Sequence, residues 1–294
     1  MNVPLSVVII AKNEQSRIAG CLETVAGWAD EIVIVDDESS DDTRTIALKY
    51  TDTIFSRHMD LEGKQRNFGA LKAKNDWIMI LDCDERLTDK LKNEIAAAIN
   101  EGDPKIAAYW APQINYMGDV QLNHGGWSNP HIRLYNKKYV KWNEADYDVI
   151  HPGLKFSEGY RGGNMKAKTI HYSFRNVEDF IKKINRYSTL EATKWYLDGR
   201  KMTMGKAIWR SVDRVWRRFI SKKGYKDGYY GFVAAVLSGF HEFAAYSKYR
   251  EIKEKGYYIE KDTEKNVIPS EAKNLKESKD PSRSLPLSEA KGSG

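Results

Sequence analysis

Two aspartates spaced one residue apart, Asp82 and Asp84, stand directly after an apolar run in Trp77-Ile-Met-Ile-Leu-Asp82-Cys-Asp84-Glu85. The run is too short and too sharply bounded for a helix and reads as a buried strand. Residues at i and i+2 of an extended chain point the same way, so both carboxylates can converge on one point beyond the strand end. Paired hard oxygen ligands suit Mg²⁺ or Mn²⁺, ions that keep water and take further ligands from a substrate's phosphates. An acidic turn after a strand would look the same, so the elements around it must decide.

Two more strand-like runs end in the same way. Leu5 to Ile10 is followed by Ala11-Lys12-Asn13-Glu14, and Glu31 to Val35 by Asp36-Asp37-Glu38. Ile18, Cys21, Leu22 and Val25 mark one face of a helix between them, and further helical segments reach Tyr50 and span 62–74 around a short strand near 52–55. Strands alternating with helices predict βαβ units and a mostly parallel α/β sheet, whose ligands bind beyond the carboxyl ends of the strands. All three acidic or amide clusters fall at such ends. No glycine-rich phosphate loop follows the first strand, which argues against dinucleotide and P-loop enzymes. Acidic and amide side chains there would instead hydrogen-bond the ribose and base of a nucleotide, leaving its diphosphate to a metal.

The chain has 294 residues, 41% of them apolar, and eight tryptophans, which describes a globular protein with a real core. Cys21 and Cys83 form no CxxC pair and read as buried apolar residues. A strand-like run from Leu5 with no basic segment before it gives no secretory pattern, so a cytoplasmic location is expected.

VVIIAKNE, VDDESSDDT, KQRNFGALKAKNDWIMILDCDE and the HGGW…HIRLY segment, in this order, resemble family 2 glycosyltransferases, and among them the lipopolysaccharide core β-glucosyltransferase WaaE group. The resemblance spans roughly residues 4 to 250. It implies a GT-A (Rossmann-like) fold, a nucleotide-diphosphate sugar donor in UDP form, a divalent metal and inversion at the anomeric carbon. By position, Glu14, Asp36 and Asp37 would hold the uridine, Asp84 would be the principal metal ligand, and Asp82 would support the ribose or the metal. Lys64 and Arg66 would face the diphosphate, unless they simply line a solvated helix. Trp127 would line the acceptor side or anchor a loop. His171, in a His-Tyr-Ser that the resemblance also carries, would be a further metal ligand or a satisfied core histidine.

One segment departs from the pattern. Where relatives of this kind read Val-His-Glu, with the Glu a plausible base, this chain has Ile150-His151-Pro152. An inverting transfer needs a base within reach of the acceptor hydroxyl. Glu144, Asp146 and Asp148 are nearby, and Asp148 is the first choice.

The last third is made of different material. Asn176 followed by Glu178 and Asp179 predicts a helix start, and Gly199 its end. Ile208, Val212, Val215, Trp216 and Phe219 then form an apolar stripe accompanied by Lys206, Arg210, Arg214, Arg217 and Arg218. Between Lys201 and Lys255 there are thirteen Lys or Arg against five Asp or Glu. Such a helix suits the interface of an anionic membrane, or packs on the catalytic domain with its basic side in water. The apolar run 229–247 contains His241 and Glu242 and is not expected to span a bilayer. From Glu260 the composition turns to Lys, Glu, Ser and Pro, with SEAK twice, and is expected to be a disordered tail. The expected organisation is a catalytic domain to 173, a helical region over 174–258, and the tail.

The leading expectation is a metal-dependent inverting enzyme that moves a hexose such as glucose to a lipopolysaccharide-core or other lipid-linked acceptor, peripherally at the inner face of the cell membrane. A nucleotidyltransferase is the first alternative, but it would carry a glycine-rich basic loop where AKNE stands. A membrane- or nucleic-acid-binding protein on a degenerate transferase scaffold is the second, with nucleic acid the less favoured partner.

Overall fold

The computed structural model describes residues 3–144 and 153–256. Asp146, Asp148, His151, Pro152 and the segment expected to be a disordered tail lie outside the described residues.

The chain begins β1 (Val3–Ala11), α1 (Ile18–Glu23), β2 (Ala29–Asp36), α2 (Thr43–Ala47), β3 (Ile54–Ser56), α3 (Glu62–Lys72) and β4 (Trp77–Ile80). It continues with β5 (Glu85–Arg86), α4 (Asp89–Glu101), β6 (Ile106–Ala111), β7 (Gln113–Met117), β8 (Val120–Leu122), β9 (His131–Asn136), β10 (Val140–Trp142), β11 (Leu154–Phe156), β12 (Arg161–Asn164) and β13 (Thr169–Phe174). Three long helices follow: α5 (Val177–Leu197), α6 (Met204–Trp216) and α7 (Gly228–Lys255).

The main sheet has seven strands in the order β12-β6-β9-β4-β1-β2-β3, parallel except where β9 runs against β4 and β6. Beside the central β4 runs β1, where Leu5, Val7, Val8 and Ile9 are wholly buried, each contributing about 1.5–3 kcal/mol by leaving water. Alternation along the strand sends Val7 and Ile9 toward α1 and α4, and Val8 toward α3. Helix α3 lies so close that a Cβ on Gly69 would meet Val8 Cγ1 at 2.4 Å, so this position admits glycine alone without movement.

The run 106–116, which reads as one strand, is two. Proline at 112 lacks the amide a ladder needs, and the chain changes sheets there. β6 stays in the main sheet, while β7 enters a second sheet of order β5-β13-β7-β8. This small sheet carries Glu85 and His171 on directly paired strands.

The helical region begins as the sequence predicts. Asn176 Oδ1 accepts from the Asp179 amide at 2.8 Å, and Gly199, at φ 62°, follows the end of α5. Helices α5, α6 and α7 share a core of Trp195, Ala207, Ala245, Tyr246 and Tyr249. Helices α6 and α7 are antiparallel: Arg210 faces Glu242, Ser211 and Val215 face Gly239, and Phe219 meets Phe232 at 5.6 Å. A π-helical turn (Arg217–Ser221) and a 3₁₀ turn (Gly224–Asp227) join them. Among the described residues, no helix is long and apolar enough to cross a membrane.

Candidate active site

The carboxyl ends of β1, β2 and β4 lie side by side, because these strands are adjacent and parallel. Their loops therefore form one acidic edge. The loops after β1 and β2 are stitched together by side chains: the Asn13 amide donates to Ser39 Oγ at 2.9 Å, the Ser40 amide to Asn13 Oδ1 at 2.8 Å, and the Glu14 amide to Thr43 Oγ1 at 2.7 Å. Asn13 and Glu38 both sit at φ 53°. Asparagine tolerates this left-handed conformation, while for glutamate it stores strain of about 1–3 kcal/mol, as sites with a binding task often do.

Asp36 and Asp37 are both buried at this edge. Asp37 accepts from the Lys12 ammonium at 2.9 Å and from the Met59 amide at 2.8 Å, and so ties the loops after β1 and β3 to its own. Asp36 differs. One oxygen accepts from the Ser39 amide at 3.2 Å, and the other, Oδ1, is buried with no hydrogen-bond partner among the described residues. A buried, unpaired acceptor costs about 1–3 kcal/mol unless a ligand satisfies it.

Beyond β4 the three acids diverge. Glu85 turns into the protein, where it pairs with the buried Arg133 guanidinium, accepts from Gln113 Nε2 at 2.6 Å and receives the Asp82 amide at 3.1 Å. It is structural: it clamps the turn that presents the other two. Asp82 remains half-exposed, 3.4 Å from Arg66 Nη2. Arg66 is itself buried, bridged to Glu62 and stacked over Trp142 at 4.8 Å. Lys64 pairs with Asp60 at 3.0 Å. Asp84 faces three cationic or imidazole groups on one oxygen: Arg17 Nη1 at 3.5 Å, His171 Nε2 at 3.5 Å and Lys183 Nζ at 3.4 Å. Burial alone would raise its carboxyl, but the His171 hydrogen bond and the surrounding charges outweigh that and hold it well below the usual carboxylate range. Asp84 therefore stays ionised. Burial likewise raises Glu14, 3.8 Å from Arg17, against the pull of that guanidinium.

The histidine's orientation is fixed from behind. His171 Nδ1 lies 2.8 Å from Asn115 Oδ1, which also accepts from Ser173 Oγ at 2.6 Å. Since an amide oxygen can only accept, Nδ1 carries the proton and Nε2 faces Asp84. Against burial, which disfavours the charged ring, the Asp84 carboxylate raises His171 above its ordinary value and favours a second proton on Nε2, which a metal bound there would displace.

Of the expected ligands, then, Asp84 and His171 meet, whereas Asp82 is turned to Arg66. Among the described residues no cluster of three or more His, Cys, Asp or Glu side chains is gathered for a metal. One carboxylate plus one imidazole nevertheless fits an ion that completes its shell with phosphate oxygens and water. Glu144 is tied to α3 by Asn67 Nδ2 at 2.7 Å and is exposed, while Asp148 lies outside the described residues.

Arg17, Lys183 and Asn115 escape a reading of the sequence. Arg17 lies in the loop before α1, Lys183 in the second turn of α5, and Asn115 on β7, and no local signal marks them. Trp127 proves to be packed: its ring lies edge-on to Phe174 and Phe180, its carbonyl accepts from Asn115 Nδ2 at 2.8 Å, and Arg218 stacks over it at 3.9 Å.

Comparison with known proteins agrees with this geometry. An "uncharacterized glycosyltransferase" of Rickettsia typhi is 28% identical over 273 residues, covering 91% of each chain. The lipopolysaccharide core biosynthesis glycosyltransferase LpsC of Rhizobium meliloti is 25% identical over 255 residues, covering 84% of this chain and 92% of its own. A mannosyltransferase from Pyrobaculum calidifontis, solved with GDP-Man and Mn²⁺, superposes with a TM-score of 0.52 at 11% identity, over 86% of this chain and 89% of its own. This is a likeness of fold, and the fold is GT-A with a helical C-terminal region. The sequence profile described as Glycosyl transferase family 2 matches residues 6–157, from β1 through β11, and by this match over more than half its length the chain belongs to that family.

Proposed function

We propose that this glycosyltransferase moves a hexose from a nucleotide-diphosphate sugar, in UDP form, to a lipid-linked glycan such as a lipopolysaccharide core, with inversion at the anomeric carbon, at the inner face of the cell membrane. The observation that carries this reading is Asp84, set at the end of β4 with Arg17 and His171 at 3.5 Å and Lys183 at 3.4 Å from one of its oxygens. The likeness to LpsC supports the acceptor class.

In this reading the nucleoside lies along the stitched loops after β1 and β2, where the unpaired Asp36 Oδ1 accepts a donor hydroxyl or base N–H. Glu14 and Asp82 border the same edge. Asp84 and His171 would hold Mg²⁺ or Mn²⁺, which there would offset the charge of the departing diphosphate. Arg17 and Lys183 stand ready on the same side to bind phosphate oxygens, and Arg66 shapes the floor through Asp82. The base takes the acceptor proton as the hydroxyl attacks, and Asp148 or Glu144 supplies it.

Calorimetry with a panel of UDP- and GDP-sugars, in Mn²⁺ and again in EDTA, tests the reading. Metal-dependent binding of one sugar nucleotide, lost in Asp84→Ala, is the expected result. A folded protein that binds no donor would sink it.

A further inference from the structure

Helix α6 carries its apolar stripe on the outside. Ile208, Trp209, Val212 and Trp216 are all at least half exposed, Trp209 by 67%. Three of the five accompanying basic residues go inward instead, while Lys206 and Arg217 stay exposed: Arg210 and Arg214 grip the buried Glu242 carboxylate, and Arg218 lies under the Trp127 loop. Helix α7 repeats the inversion, exposing Tyr229, Phe232, Val236, Phe240 and Phe243 at spacings of three and four residues.

The two stripes form one surface. At the crossing, a Cβ on Gly239 would meet Ser211 O at 2.8 Å and Val215 Cγ2 at 2.5 Å, so the helices touch nearly backbone to backbone. In two antiparallel helices joined at that line, both stripes sit on the same side of the contact. Phe219 and Phe232, edge to face at 5.6 Å, continue the surface across it. The aromatic content is that of side chains which settle at the depth of lipid headgroups.

Charge marks which partner this face suits. At one end lies a depression of about 510 Å³ lined by Arg200, Lys201, Met202, Lys206, Trp209 and Arg210. Arg210 is committed to Glu242 and Glu191. Arg200, Lys201 and Lys206 have no carboxylate within ion-pair distance among the described residues, and Lys206 Nζ finds only the Lys201 carbonyl, at 3.5 Å. Trp209 is shared by the depression and the stripe. Exposed Lys223 and Lys226 stand at the other end. An apolar platform with cations at both ends that no carboxylate neutralises among the described residues, Arg200 resting on the Trp195 ring at 5.4 Å, matches a bilayer surface bearing phosphate groups, and does not match a second copy of itself, which would bring cation to cation or leave the charges unmet.

We infer that the α6–α7 face is a docking surface for an anionic lipid bilayer, with Trp209, Trp216 and Phe240 at headgroup depth and the Arg200–Lys201–Lys206 depression holding a lipid phosphate. The inference rests on the proposed membrane-borne acceptor and specifies how the enzyme meets that membrane.

The full chain is tested by sedimentation with phosphatidylcholine vesicles and with vesicles containing phosphatidylglycerol. The wild type is expected to bind only the anionic vesicles, with a blue shift of tryptophan fluorescence. The triple variants Trp209→Ser/Trp216→Ser/Phe240→Ser and Arg200→Gln/Lys201→Gln/Lys206→Gln should each weaken vesicle binding by roughly tenfold or more. Both should keep wild-type calorimetric binding of the sugar nucleotide, which shows that they are folded and separates this test from that of the donor site. Absence of vesicle binding by the wild type overturns the inference, as does binding that both variants retain. So does a concentration-dependent dimer that the aromatic variant dissolves, since the face would then join two copies.

Discussion

The acidic edge and the α6–α7 hairpin invert ordinary folding preferences in opposite senses. At the edge, charges that water would solvate are buried: Asp36, Asp37, Arg66, Glu85 and Arg133 all lie inside. On the hairpin, aromatic side chains that a core would take are left outside. Burying a charge demands exact partners, so the edge is rigid and nearly every group in it is tied, with Asp36 Oδ1 a named exception. Exposing an aromatic demands nothing of its neighbours, so the hairpin holds itself together elsewhere, through Glu242 and the core around Trp195. A change at the edge should therefore disturb both stability and chemistry. A change on the hairpin face should disturb only what touches it from outside.

Asp84→Ala should give the largest effect, a loss of about a thousandfold or more in transfer rate, since it removes the charge on which the proposed metal and diphosphate depend. Vesicle binding should be untouched, and a matching loss of vesicle binding would break the separation of the two regions. Glu85→Ala leaves Arg133 charged and buried without its partner, and should cost about 3–5 kcal/mol in denaturant unfolding. Asn115→Leu should leave the fold standing but weaken Mn²⁺ affinity by about 10–100-fold, read by calorimetry, because His171 Nδ1 then loses its amide acceptor and keeps only the Ser173 hydroxyl at 3.1 Å. Gly239→Ala sets a methyl against the Ser211 carbonyl and should cost about 1–3 kcal/mol by thermal melting, with donor binding unchanged. Smallest is Trp209→Ser, expected within about 0.5 kcal/mol of wild-type stability because the ring is exposed.

The sequence made the sheet legible because apolar runs and acidic ends follow strand geometry directly. It made the start of α5 legible through Asn176, whose capping role is local. Glu85 shows the limit. As the third acid within four residues it invites reading as a ligand, yet its partner Arg133 is 48 residues away and only pairing in space reveals the clamp. Proline at 112 was a visible break in the run 106–116, but which sheet received each half depended on distant strands. The α6 stripe was legible as a stripe, while its direction was not: periodicity gives the angle between faces and says nothing of which one the rest of the molecule covers. The domain limits and the base at Asp148 remain expectations, the latter outside the described residues.

The stacking of Arg218 on Trp127 has an evolutionary consequence. Arg218 sits in the joint between α6 and α7, also donating to the Gly125 carbonyl at 3.1 Å, and the Trp127 carbonyl is held by the same Asn115 that orients His171. The hairpin is thus no detachable appendage. A lineage that exchanged it for another anchor, or a chimera built in the laboratory, would have to inherit the joint together with the His124–Trp127 loop, so these segments should travel between proteins as a single hereditary unit.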